Sequence, residues 1–280
     1  MVTRTVPEPP VAGGCDGLFS DAEVARTTGD ARAGESDELW QVAIETIGGI
    51  SCGFRSDSMA GEVVMLPADR ARALAQDIGA TACDQNYGDV VCATSEVAGQ
   101  TWVLVTMLYL GDEVPEEVPE SQTAVLRALA ATVQDSAPAG VDTAEVVLDC
   151  RALAERVAVT DILGDGEIYP TRIEDGGEPI ERRIADQTAA SVRCDWSELD
   201  DFRELGVVVI PGGAWAWDAR VAAMAGSREV VVAGAAARLW PKPSGETGVL
   251  IEDDGDLVWV WGREVSEPNL LSAAGAFVDG

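Results

Sequence analysis

The chain runs to 280 residues, 47% of them hydrophobic, enough to bury one large core or two ordinary ones. Forty-nine acidic residues against nineteen basic ones give a net charge of −30, which repels nucleic acid and anionic membranes and excludes DNA or RNA binding. With no histidine present, Ser-His-Asp and Cys-His catalysis and any histidine metal triad are excluded too.

Residues 1–11 are expected to be a flexible tether. The opening MVTRTVPEPPVAGG is rich in Thr, Pro and Gly and has no apolar signal core, so export would need a signal outside this sequence. The first ordered landmark is "CDGL" at 15–18. Ser20 and Glu23 then form a capping-box pattern for a short helix that Gly29 ends. Leu39, Trp40, Ala43, Ile44 and Ile47 share one helical face, and Gly48-Gly49 stops that second helix.

In "GGISCGFRSD", period-2 geometry puts Cys52 and Phe54 on one face of a strand. The apolar strand VVMLP follows, ending at Pro67, and "ADRARALAQDIG" predicts a helix to Gly79. "CDQNYGDVVC" reads as two strands turning near Tyr87-Gly88-Asp89. The run WVLVTMLYL at 102–110 is of strand length and spans no membrane, and "SQTAVLRALAATV" closes this half as a helix.

After "QDSAPAGVDT" the same landmarks return in the same order. They are "CRAL" at 150–153, a helical stretch "PIERRIADQTAA" at 179–190, the strand with Cys194 and Trp196, and VVVIP ending at Pro211. A helix "AWAWDARVAAMAG", with Trp217, Val221 and Met224 at helical spacing, precedes further strands, the turn-led "DDGDLVWVW" and the closing helix "EPNLLSAAGAFV". The order predicts a tandem duplication, with repeats at 12–138 and 144–280 and a linker at 139–143. Short turns between successive strands make each repeat an antiparallel sheet with packed helices, α+β in class.

Six cysteines allow 15 pairings. If each repeat folds alone, Cys15 pairs with Cys52 and Cys150 with Cys194, helix to strand, leaving Cys83 for Cys92. Metal or redox thiols are disfavoured, because C-x-x-C is absent and histidine is missing. No cofactor and no metal are expected. Disulfides in turn imply an oxidising compartment, secreted or in the cell envelope.

The C-x-x-L start followed by "GGISCGF" at 48–54 and an apolar strand ending in proline resembles uncharacterised exported and lipoprotein domains of actinobacteria. In those, a "GG-x-x-C-x-W" strand is tied by disulfide to the first helix. The second repeat lacks the Gly-Gly lead but keeps Cys194 and Trp196. The resemblance implies an α+β envelope protein and carries over no catalytic residue. The lipidated N-terminal cysteine common in such proteins is not present in this sequence.

No G-x-S-x-G elbow, Walker loop or G-x-G-x-x-G appears. Ser-Lys chemistry would rest on Lys242, the single lysine, which in "LWPKPSGETG" reads as part of a turn. Carboxylates leave a glycan hydrolase as one alternative. The groups Asp253, Asp254 and Asp256, Asp165 and Glu167, and Glu174, Asp175 and Glu178 leave a calcium-dependent adhesion module as another, although none fits a calcium loop.

Six of eight tryptophans follow residue 195. Trp259 and Trp261 share a strand face, while Trp215 and Trp240 sit in loop-like settings, so at least one of that second pair is expected to be a solvent-exposed anchor. The leading expectation is therefore an exported, non-enzymatic binding or structural module. It would meet a protein or glycan partner at the cell surface through Trp215 and Trp240.

Overall fold

The computed structural model describes residues 6–29, 31–33, 39–56, 60–72, 81–86, 89–109, 119–133, 140, 149–164, 168–170, 184–185, 188, 190–198, 202–242 and 245–278. The chain divides into two compact units at Asp142/Thr143, with the stretch Asp175–Thr188 counted in the first. Within that stretch the Thr188 N–H donates to Ile184 C=O at 2.9 Å, and Ile184 and Ala185 are fully buried. The rest of "PIERRIADQTAA" apart from Ala190 lies outside the described residues, as does "ADRARALAQDIG" beyond Arg72.

In the first unit, α1 (Gly14–Ser20) and α2 (Ala22–Thr28) lead to β1 (Arg32–Ala33), α3 (Leu39–Thr46), β2 (Ile50–Arg55) and β3 (Ala60–Pro67). Then come β4 (Thr81–Asn86), β5 (Asp89–Ala98), β6 (Thr101–Tyr109) and α4 (Glu120–Ala130). The strands form one antiparallel sheet in the order β1-β2-β3-β6-β5-β4.

The helix cap falls one residue later than the sequence suggests. Asp21 Oδ1 accepts from the N–H groups of Glu23 (2.9 Å) and Val24 (3.2 Å), while Ser20 Oγ donates back to Gly17 C=O. A carboxylate in extended conformation satisfies two orphan donors of α2, which a hydroxyl bonded to the preceding turn does not. Gly29, at φ 68°, ends α2 as expected.

Cys52 and Phe54 face the same buried core as Leu18, Val24, Val105 and Leu129, so α1, α2 and α4 cover that face of the sheet. The Phe54 ring lies over its cross-strand partner Gly61, where a Cβ would stand 2.8 Å from it. Gln122 fastens α4 to the strands: its Nε2 donates to Cys92 C=O and Val105 C=O, and its Oε1 accepts from the Tyr109 hydroxyl. Wholly buried, it leaves none of these partners to find water.

The second unit opens with α5 (Cys150–Val157), capped by Asp149, and α6 (Val159–Leu163). It continues through β7 (Ile168–Pro170), β8 (Val192–Glu198), β9 (Arg203–Ile210), a 3-10 turn (Gly213–Ala216) and α7 (Trp217–Ala223). β10 (Arg228–Val232), β11 (Ala235–Pro241), β12 (Glu246–Asp253), β13 (Asp256–Arg263) and α8 (Glu267–Val278) complete it. The sheet is antiparallel throughout, in the order β10-β11-β12-β13-β9-β8-β7.

In both sheets the cysteine-bearing strand pairs with the strand leading to a proline, and that strand pairs with the last strand of its unit. Laid on the first, the second order adds only β10. Two of its hairpins turn on left-handed pairs, Ala233 (φ 49°) with Gly234 (φ 88°) and Asp254 (φ 45°) with Gly255 (φ 95°). Positive φ at both central residues gives the turn twist that antiparallel strands favour, which is why Asp-Gly stands where it does.

All six cysteines are paired: Cys15 with Cys52, Cys83 with Cys92, and Cys150 with Cys194. The first and last tie a helix to a strand, with Cα atoms 5.6 and 5.4 Å apart. Cys83 and Cys92 stand directly opposite across β4 and β5; Tyr87 and Gly88 lie outside the described residues. Three disulfides point to an oxidising, extracellular environment. Among the described residues, no helix is long and apolar enough to cross a membrane.

Candidate binding surface

Period-2 alternation divides the second sheet. Cys194, Trp196, Val207, Val249, Val258 and Val260 face the core under α5, α6 and α8. The intervening residues face the other way, and backbone pairing aligns five of them across five strands: Asp195, Gly206, Trp261, Gly248 and Trp240. Directly paired residues lie on one side of a sheet, so this is a continuous transverse row.

The two glycines in it make room for indoles. A Cβ on Gly206 would stand 2.3 Å from Trp261 Nε1 and 2.4 Å from Asp195 Oδ1, so ring nitrogen and carboxylate converge above that glycine. A Cβ on Gly248 would stand 1.8 Å from Trp259 Cη2. Arg193 ion-pairs with Asp195.

At one end of the row the rings meet charge. Trp240 and Trp259 pack edge to face, with centroids 6.3 Å apart at 61°. The Trp240 indole N–H donates to Ala225 C=O at 3.0 Å, which fixes the ring. Lys242 Nζ lies over both indoles, 5.4 Å from the Trp240 ring and 5.5 Å from that of Trp259, and meets Glu246 Oε1 at 2.6 Å. The loop that presents this lysine is closed by Lys242 N–H to Glu246 C=O (2.7 Å) and Gly245 N–H to Lys242 C=O (3.1 Å), with Gly245 at φ 87°. Lys242 is thus in a turn, as the sequence indicates. Its place over two rings is what the sequence does not reveal.

Trp240 and Trp215, the two candidate anchors, stand toward opposite ends of β12. Trp240 pairs with Gly248 near the start of β12, whereas Trp215 sits in the 3-10 turn whose Ala214 N–H donates to Gly255 C=O beyond that strand's other end. Both are half-buried. The indole hydrogen bond to Ala225 C=O and the packing against Trp259 hold the Trp240 ring down.

Asp253, Asp254 and Asp256 resolve into a hairpin. Asp254 is a turn residue, and Asp256 Oδ1 accepts from Gly212 N–H at 2.8 Å. Among the described residues, no group of three or more acidic or cysteine side chains is gathered for a metal. Asp165, Glu167, Glu174, Asp175 and Glu178 lie outside them.

Burial pushes the Asp256 carboxyl up, against the Gly212 hydrogen bond, with Asp253 and Asp254 adding repulsion. A raised folded-state value means the native chain holds this proton more tightly than the unfolded chain. Stability therefore falls as pH rises through the window just above the usual carboxylate range. Asp256→Asn, which keeps the acceptor, is expected to remove that slope in urea melts across this window; an unchanged slope would assign it to another group.

A separate cleft of about 420 Å³ opens between α5, α6 and β8, lined by Cys150, Ala154, Val159 and Trp196 with Arg151, Glu155 and Thr160. Comparison with known proteins gives no match to a family model, a curated protein or a solved structure.

Proposed function

We propose that this chain is an exported, non-enzymatic binding module of the cell envelope or extracellular space, built by tandem duplication of one α+β unit. The shared strand order supports the duplication. The disulfides and the resemblance to exported actinobacterial domains support the location. One observation carries the binding role: the row of Asp195, two glycines and two indoles across β8, β9, β13, β12 and β11, ending in the Trp240, Trp259 and Lys242 cluster. The row lies on the sheet face opposite α5, α6 and α8, where glycines at 206 and 248 leave room for the rings beside them. Aromatic platforms recognise proteins and glycans.

The test is capture of envelope and culture-supernatant components on immobilised full-length chain, beside the Trp240→Ala variant. A protein or glycan retained by the wild type and lost at least tenfold by the variant supports the reading. Equal retention by both removes Trp240 from the binding surface.

A further inference from the structure

The Trp240 cluster has the parts of a cation site already assembled. Two indole faces stand at 61°, their rings fixed by a hydrogen bond to Ala225 and by the gap over Gly248, and a carboxylate, Glu246, pairs with the ammonium that lies over them. Indole faces attract ammonium groups through the ring quadrupole, and a nearby carboxylate supplies the countercharge. The occupant is the only lysine of the chain, reaching in from the adjoining loop.

We propose that Trp240, Trp259 and Glu246 form a recognition site for a lysine side chain of a partner protein, and that Lys242 is an internal stand-in which the partner's lysine displaces. This deepens the proposed binding role and rests on it. Lys242 is suited to leave: it is about 30% exposed at the side chain, on a loop, while both rings are held independently of it. A chain of net charge −30 favours a cationic partner over long range, and the aromatic pair then selects an ammonium over diffuse positive charge. Occupation from within lowers apparent affinity by the fraction of time the site is filled, so the lysine also sets the threshold for binding.

The experiment titrates full-length protein with Nα-acetyl-lysine amide, with its Nε-acetylated form as control, following the Trp240 indole N–H resonance. Wild type is expected to respond weakly. Lys242→Met, which keeps the apolar stem and removes the competitor, is expected to bind the free amine at least tenfold more tightly. The acetylated probe should bind neither, and adding Glu246→Gln to Lys242→Met should weaken the response several-fold. No response in Lys242→Met, or an equal response to both probes, overturns the lysine assignment. If partner capture still depends on Trp240 in that case, the binding surface stands without it; if capture is lost as well, both readings fail.

Discussion

Replacing Cys150 and Cys194 together by alanine is expected to destabilise the second unit by about 4 kcal/mol, the largest single effect predicted for this chain. The bond closes a loop of 44 residues, and cross-linking removes unfolded-state entropy that grows with the logarithm of loop length. The Cys83–Cys92 bond closes only 9, and its removal should cost about 2.6 kcal/mol on the same scale. Against the roughly 5–15 kcal/mol of an ordinary domain, the longer loop decides whether the unit is folded at moderate temperature.

The bond also fixes α5 against β8 beside Trp196, so its loss should loosen the wall of the adjoining cleft. Urea unfolding followed by a near-ultraviolet tryptophan signal reads the second unit, where six of eight tryptophans lie. A midpoint shift of the second unit for the Cys150/Cys194 pair smaller than the shift of the first unit for the Cys83/Cys92 pair, the latter followed by far-ultraviolet circular dichroism, would overturn the loop-length account.

The strands were legible because their signals are local. A cysteine and an aromatic two residues apart, an apolar run stopped by proline, and an Asp-Gly pair between alternating segments each specify a face, an end or a turn within ten residues. The cysteine pairs were legible for a different reason: the repeated order supplied the long-range pairing that spacing alone cannot.

The Ser20 reading missed by one position because a capping pattern does not say which of two adjacent polar residues takes the extended conformation. The aromatic row was invisible for a deeper reason. Its members come from positions 195, 206, 261, 248 and 240, and only the register of four strand pairs brings them together. Gly206 and Gly248 were the available signal, since glycine inside a strand marks a close approach by another group. The neighbours that approach them are set by tertiary pairing.

Gly248→Ala is the sharpest test of that row. Its backbone lies outside the left-handed region, so alanine is conformationally allowed and the conflict is steric alone. The new Cβ would stand 1.8 and 1.9 Å from Trp259 Cη2 and Cζ2, and a ring only 6% exposed has little room to retreat. Forcing extra volume into a packed site costs about 1–3 kcal/mol. Gly206→Ala makes a useful contrast. Its Cβ meets Trp261 Nε1 at 2.3 Å and Asp195 Oδ1 at 2.4 Å, but Trp261 is half-buried and can swing outward. Gly248→Ala should therefore lower the urea midpoint more than Gly206→Ala. It should also move Trp259 from beneath Lys242, abolishing the lysine-analogue response of the Lys242→Met background, which Gly206→Ala should leave intact. Equal effects of the two alanines would mean that the Trp259 ring is not held by the gap over Gly248, and the preformed geometry of the cation site would fall with it.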